Sequence, residues 1–388
     1  MLASDPKVAS DLRVALFSGN YNYTRDGPTQ ALNLLVGHLL AQGAAVRVYA
    51  PTVAEPAFTP TGDLVSVPSF AIPGERGEYR LATGLRGVRA DLEAFAPNTV
   101  HLSAPDVLGH RAVTWARARG IPRVASLHTR FETYLRYYRA GFVSPLLVAI
   151  QKRFYNRVDR VMPPGESMAA VLRGWGVTTP TTIWSRGIDH DRFTPARRDL
   201  VWRRAFGIGD GEVAVGFLGR LVKEKGLDIF VEVLAELSRR GVPHRALVVG
   251  EGPARAWFEA QAPDAVFAGF QSGDDLGRAV ASMDVFFNPS VTETFGNVTL
   301  EAMAAGVPVV AARATGAVDL VEEGRTGFLV EPRDVAAYAD AIGRIVAEPG
   351  LRAALGGAGH RKAAAYRWDV VNQRVVETYL ELASSFRA

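Results

Sequence analysis

The chain has 388 residues, of which 48% are apolar and 22% charged; at roughly one domain per 150 residues this is too much for one core, and two globular domains are expected. It contains no cysteine, which excludes a disulfide framework, a thiolate metal site and a cysteine nucleophile, and fits a reducing compartment. The net charge of +4 is unevenly shared: residues 1–190 hold 21 Lys and Arg against 14 Asp and Glu, and residues 191–388 hold 23 against 26, so the first half is the better attractor of phosphates, acidic lipid headgroups or nucleic acid.

The opening MLASDPKVASD lacks the basic-then-apolar order of a secretory leader. The longest apolar run, GFVSPLLVAI at 141–150, is well short of the ~20 residues of a spanning helix, so a soluble or peripheral protein is expected. LRVALFS at 12–18 reads as a buried parallel strand, followed by the loop GNYNYTRDGPTQ and a helical pattern over 31–42. Gly27 stands just before that helix, where backbone could approach a phosphate or simply make a turn.

Further strands are expected at 46–50, 99–102 and 123–127, with helical patterns at 78–95 and 108–119 between them. Alternation of this kind specifies a parallel sheet with helices on both faces. His128 follows one of these strands at the edge where open α/β sheets bind ligands; a hydrogen-bonded structural role is the alternative.

Residues 128–160 carry seven Lys or Arg against two Asp or Glu, interleaved with aromatics. Arg136, Arg139, Lys152 and Arg153 beside an apolar run suit an anionic membrane surface, and equally a solvated helix face packed by its aromatics. No nucleic-acid-binding module accompanies the patch, so nucleic acid is not the expected partner.

A strand at 158–162 and a helix over GESMAAVLRGWG lead to the Gly- and Pro-punctuated segment TTIWSRGIDHDRFTPARR, which places a domain boundary near residue 190. It contains the triplet Asp189-His190-Asp191, a carboxylate pair of a kind that can hold a divalent metal; with no strand leading into it, no metal is expected there. The pattern then restarts with the strand EVAVGFLGR, the loop LVKEKG and a helix over 227–239. Arg220 and Lys225 beside a helix start suit a diphosphate clamp, a flat fork plus a point charge, with surface salt-bridging as the alternative.

Strands at RALVVGEGP, 266–270 and DVFFNPS follow, with a helix over 274–282, then a strand at 308–312 and the turn RTGFLVEP. Gly250-Glu251-Gly252 begins a dinucleotide fingerprint, but Arg255 stands where the third small residue belongs, which argues against hydride transfer. The last 40 residues are helical in pattern.

The richest stretch is FFNPSVTETFGNVTLEAMAA at 286–305, which sets Glu293 in a loop and Glu301 in the second turn of a helix beginning near Gly296. The free amides of the first turn, around Asn297 and Val298, fall between the two carboxylates. A phosphate suits the amides and sugar or ribose hydroxyls suit the carboxylates, so a nucleotide sugar fits; solvated helix-end charges are the plain alternative.

With GRLVKEKG, VVGEGP, ETFGNVTLE and AMAAGVPVVAARATGAVDLV in this order, residues 212–332 closely resemble the retaining glycosyltransferases of the GT-B fold, family four. The first half matches more loosely through its Gly loop, HTRF and RGIDHDRF. The resemblance implies an α/β GT-B architecture of two Rossmann-like domains across a cleft: 1–190 for the acceptor, 191–367 for the nucleotide sugar, and a helix at about 368–388 packing back on the first. It further implies donor binding by Gly219, Arg220, Lys225, Gly250, Phe270, Gln271, Glu293, Phe295, Gly296, Asn297, Val298 and Glu301. Arg220 and Lys225 would hold the diphosphate, Glu293 the sugar, Glu301 the ribose, and Phe270 and Gln271 the base. His128 would lie near the sugar, and Gly27 would face donor phosphates or acceptor, although Asp26-Gly27-Pro28 replaces the paired glycines of many relatives.

The implied function is transfer of a hexose from a UDP- or GDP-sugar to a membrane lipid-type acceptor, with retention and without metal or other cofactor, by a protein peripheral at the cytoplasmic face of the membrane. A soluble or polyprenyl-linked saccharide acceptor, or a sugar-nucleotide epimerase of the same fold, are the alternatives.

Overall fold

The computed structural model describes residues 8–72, 79–130, 132–133 and 141–386. Of the four cations in the basic patch, Arg136 and Arg139 lie outside the described residues. The chain divides into two compact units, residues 1–132, 142–186 and 368–388 in one and 133–141 and 187–367 in the other.

In the first unit, strands β1 (Arg13–Phe17), β2 (Ala45–Ala50) and β3 (Asp63–Ser66) lie on one side of a six-stranded sheet. A short antiparallel pair, β4 (Ser69–Ala71) and β5 (Arg80–Ala82), stands apart from it. Strands β6 (Thr99–Leu102), β7 (Arg123–Ser126) and β8 (Arg160–Met162) complete the order β3-β2-β1-β6-β7-β8, all parallel. β6 and β7 are buried at every position and β1 at all but its first, as expected of strands covered on both faces. The order reverses between β1 and β6, a switch point of the kind at which open α/β sheets bind ligands.

Two boundaries differ from expectation. The first helix spans Gly27–Ala41 rather than 31–42, because Asp26 caps it by accepting from the Thr29 amide at 2.8 Å and Pro28 fits its first turn. The pattern at 78–95 is not one helix: Arg80–Ala82 pairs with β4, and helix resumes only over Arg89–Phe95.

The second unit repeats the design. Strands β9 (Ala214–Leu218), β10 (Arg245–Val249), β11 (Val266–Gly269), β12 (Val285–Asn288), β13 (Val309–Ala312) and β14 (Gly327–Val330) form a parallel sheet in the order β11-β10-β9-β12-β13-β14. The segment RTGFLVEP, expected as a turn, supplies β14, paired with β13 from Val309 opposite Gly327 to Ala312 opposite Val330. One face of the sheet is filled by Phe217, Phe230, Phe258 and Phe287, with Phe230 stacked on Phe287 at 5.2 Å.

The C-terminal helix Trp368–Ser385 belongs to the first unit. Val375, Val376 and Tyr379 are buried with Leu32, Leu35 and Val36 of the helix Gly27–Ala41.

Candidate functional site

In the second unit the sheet order reverses between β9 and β12, and the loops leaving β9, β10 and β12 pack together at the strands' C-terminal ends. The β9 and β10 loops are stitched by backbone: Gly219 N–H donates to the Val249 carbonyl at 3.0 Å, Leu221 to Glu251 at 2.9 Å, and Ala254 to Leu221 at 3.0 Å. A Cβ on Gly250 would lie 1.9 Å from the Gly219 carbonyl oxygen. Its residue type therefore follows from the close approach of two loops, which explains a glycine pair without a dinucleotide fingerprint.

Lys225 closes a short 3-10 turn (Lys223–Lys225), and its Nζ lies 2.5 Å from Glu293 Oε1. The β9 loop is tied to the β12 loop through the Glu224 carbonyl, which accepts from Thr292 Oγ1 at 3.2 Å. Arg220 is exposed at the rim of the same loop. The two cations and Glu293 are thus held on loops whose backbones brace each other.

Glu293 is anchored from behind by two residues to which sequence reasoning assigned no role. Thr315 Oγ1 donates to the Glu293 carbonyl at 2.8 Å. Gly316 adopts φ 83°, and a Cβ there would meet the Phe295 carbonyl at 2.8 Å and Glu293 Cβ at 3.1 Å. The run ATG at 314–316 was visible in the sequence, but only folding shows that it lies under the Glu293 loop.

The helix Asn297–Ala304 follows, with Gly296 at its N-cap and no side chain capping it. The first-turn amides of Asn297 and Val298 precede any intrahelical acceptor, as an anion site requires. Phe295 is buried in the core, so only its backbone is available to a ligand. Glu301 sits one turn further on, where burial pushes its pKa up to about 7 against the lowering influence of Arg192.

Phe270 is 70% exposed just beyond β11, and the Gln271 amide turns back to the Ala268 carbonyl at 2.6 Å. The exposed ring is available for stacking, whereas one Gln271 N–H is already used by its own chain.

In the first unit His128 lies two residues beyond β7, half-buried, with Nε2 2.7 Å from Ser126 Oγ and Nδ1 2.8 Å from Arg186 Nη2. Burial, and then the Arg186 charge, hold its pKa well below the ordinary imidazole range. Gly27 begins the first helix, but the carboxylate of Asp26 already occupies that helix start and also accepts from Asn20 Nδ2 at 3.2 Å. A carboxylate there repels a second anion, so this helix start is poorly suited to a phosphate.

The Asp189 carboxylate is spent locally, accepting from the backbone amides of Asp191 and Arg192 and pairing with the Arg192 guanidinium at 3.3 Å. Among the described residues no group of three or more His, Cys, Asp or Glu is placed to hold a metal ion.

The doubled parallel-sheet α/β design carries a cationic and carboxylate cluster at the switch point of its second sheet, where open α/β sheets take their ligands. Residues 212–348 match the family Glycosyl transferases group 1, and residues 26–192 match Glycosyltransferase Family 4. A GDP-mannose-dependent alpha-mannosyltransferase of Mycolicibacterium smegmatis is 34% identical over 376 residues, covering 95% of this chain and 97% of that protein. A second protein of that description, from Corynebacterium glutamicum, is 31% identical over 335 residues, covering 84% of this chain and 79% of its own. Among solved structures, a sucrose-phosphate synthase from Thermosynechococcus elongatus superposes with a TM-score of 0.80 at 21% identity, over 96% of this chain and 99% of that one. The chain belongs to the group 1, family 4 glycosyltransferases and has their GT-B fold. It is a hexosyltransferase, so the epimerase alternative is set aside.

Proposed function

We propose that this protein transfers mannose from GDP-mannose to a lipid-type acceptor at the cytoplasmic membrane surface, forming an α-mannoside with retention of configuration and without a metal. The observation that carries the donor half is the Lys225–Glu293 pair at 2.5 Å beside an open helix start. It sets a cation for phosphate and a carboxylate for sugar hydroxyls within one side chain's reach of each other. GDP-mannose is favoured over other donors by the two mannosyltransferase relatives.

The chemistry follows from charge. As the C1–O bond to the diphosphate breaks, negative charge grows on the leaving phosphate while the sugar ring becomes oxocarbenium-like. In this reading Lys225, Arg220 and the Asn297 and Val298 amides face that developing charge, so they stabilise the transition state more than the bound donor. Glu293 holds sugar hydroxyls and Glu301 the ribose. The acceptor hydroxyl oxygen bonds to C1 from the leaving-group face as its proton passes to the departing phosphate oxygen, which retains configuration and needs no protein nucleophile. His128 faces the transferred sugar.

A lipid acceptor is supported by the helix Ser144–Tyr155 and the turn before it. Phe142 is 86% exposed, Leu146 60% and Ile150 38%, spaced four residues apart on one face. Exposed Lys152 and Arg153 follow on the same helix. Apolar side chains flanked by cations suit insertion into an anionic leaflet. No described helix is long and apolar enough to cross a membrane.

The test is transfer of labelled sugar from GDP-mannose, UDP-glucose and UDP-galactose, with a chelator present, to anionic vesicles carrying extracted lipids and, separately, to soluble saccharides. Labelled lipid formed from GDP-mannose alone supports the proposal. Transfer only to a soluble saccharide sinks the lipid half, and transfer only from a UDP-sugar sinks the donor half.

A further inference from the structure

His128 is one end of a buried hydrogen-bonded chain that runs through the first unit. Its Nδ1 meets Arg186 Nη2 at 2.8 Å and its Nε2 meets Ser126 Oγ at 2.7 Å. The same hydroxyl lies 2.8 Å from His101 Nε2, and His101 Nδ1 contacts the Tyr379 hydroxyl. Trp184, fully buried, sits edge-on to both imidazoles at 5.6 and 5.8 Å, with the Arg186 guanidinium 5.1 Å over its ring. The Trp184 indole N–H is held by Asn372 at 3.2 Å.

Proton counting assigns the His128 ring. A guanidinium only donates, so His128 Nδ1 must be the bare acceptor nitrogen and the ring's single proton is on Nε2. Nε2–H donates to Ser126 Oγ, which with the Tyr379 hydroxyl flanks the two ring nitrogens of His101. Burial holds His101 neutral. No arrangement in which His128 carries a proton on Nδ1 keeps the Arg186 contact.

Arg186 itself is 4% exposed; its remaining hydrogen bonds go to the carbonyls of Trp184 and Ser185. No carboxylate pairs with it among the described residues, and burial alone lowers its pKa to about 10. An arginine kept charged and buried without a counter-ion is costly, and stability alone gives no reason to retain it.

We propose that Arg186 is a positioning residue of the transfer reaction, holding His128 as a fixed, neutral Nε2–H ring. This rests on the reading that His128 faces the transferred sugar. A ring so locked presents one orientation and one charge state to the sugar, and cannot become an imidazolium that would repel the developing oxocarbenium ion. Ser126, His101 and Tyr379 continue the lock; among the described residues the charged and titratable groups that act on the ring include Arg186 and His101. Tyr379 and Asn372 come from the C-terminal helix, which thereby braces the site's histidine.

The experiment is nitrogen-15 NMR of the histidine side chains in the full chain, assigned with His128→Asn, from pH 5.5 to 8.5, paired with steady-state kinetics. In wild type the His128 signal should show a bare Nδ1 and a protonated Nε2 throughout. In Arg186→Met it should titrate and average both tautomers, with kcat down by about tenfold to a hundredfold and donor KM within about twofold. Arg186→Lys, which restores one donor, should recover part of the lock and part of the rate. A wild-type His128 that titrates normally or is protonated on Nδ1 overturns the proposal even if the variants do not fold. Unchanged kcat in Arg186→Met with the tautomer lost also overturns it. If His128→Asn transfers normally, the reading that His128 faces the sugar fails as well, and the two failures are told apart by the NMR.

Discussion

Lys225 and Glu293, 68 residues apart in sequence, form an ion pair at 2.5 Å with the carboxylate side chain only 14% exposed. The two charges neutralise each other, and under the proposed function donor binding exchanges this pair for a cation–phosphate and a carboxylate–sugar contact. Glu293→Ala should therefore abolish most transfer, by about a hundredfold or more, while binding of bare GDP holds or tightens because Lys225 loses a competing carboxylate. Calorimetric titration of GDP alongside turnover checks this; unchanged transfer removes Glu293 from the sugar.

Lys225→Ala should weaken GDP by about tenfold to a hundredfold, the worth of a charge-assisted phosphate contact. Arg220→Ala acts in the same direction. Calorimetry in the presence of a chelator measures both, and GDP affinity that is independent of either cation would refute the clamp.

Glu301 sets a pH dependence of stability. Its folded pKa is raised from 4.5 to about 7 by burial. Between these values the folded state binds more protons than the unfolded chain, so stability falls as pH rises from about 4.5 to 7 and levels off above. Glu301→Gln should remove that slope and be more stable than wild type at pH 8 by on the order of 2 kcal/mol, while binding ribose less well. Thermal unfolding from pH 5 to 8 reads the sign, and a parallel pair of curves would contradict it.

Gly316→Ala places a methyl against the Phe295 carbonyl in a left-handed backbone. A loss of roughly 1–3 kcal/mol is expected, with kcat reduced further than stability accounts for because the Glu293 loop must move. Thr315→Val, which removes the bond to the Glu293 carbonyl, should lower kcat with a smaller change in melting temperature.

Replacing Phe142, Leu146 and Ile150 by Ser should cut co-sedimentation with anionic vesicles about tenfold or more, and replacing Lys152 and Arg153 should cut it chiefly at low salt. Binding unaffected by both sets leaves the helix face as ordinary surface.

The alternation of apolar strands and helices, the Glu293 and Glu301 spacing, and the two cations of GRLVKEKG could be read from the chain, because strand burial and helix starts are local properties. That is why the α/β class and the GT-B resemblance were legible before any coordinates. Local signals failed where a partner strand decided the conformation: 80–82 joined β4 instead of a helix, and 327–330 became β14 instead of a turn. Tertiary structure alone placed Lys225 on Glu293, slid Thr315 and Gly316 beneath that loop, and spent the α-helix start at Gly27 on Asp26. It alone brought Arg186, Ser126, His101 and Tyr379 into line behind His128 across up to 278 residues of chain. Hydrogen bonds between distant segments leave no periodicity in a sequence, so the protonation state of a histidine has to be read from its neighbours in space.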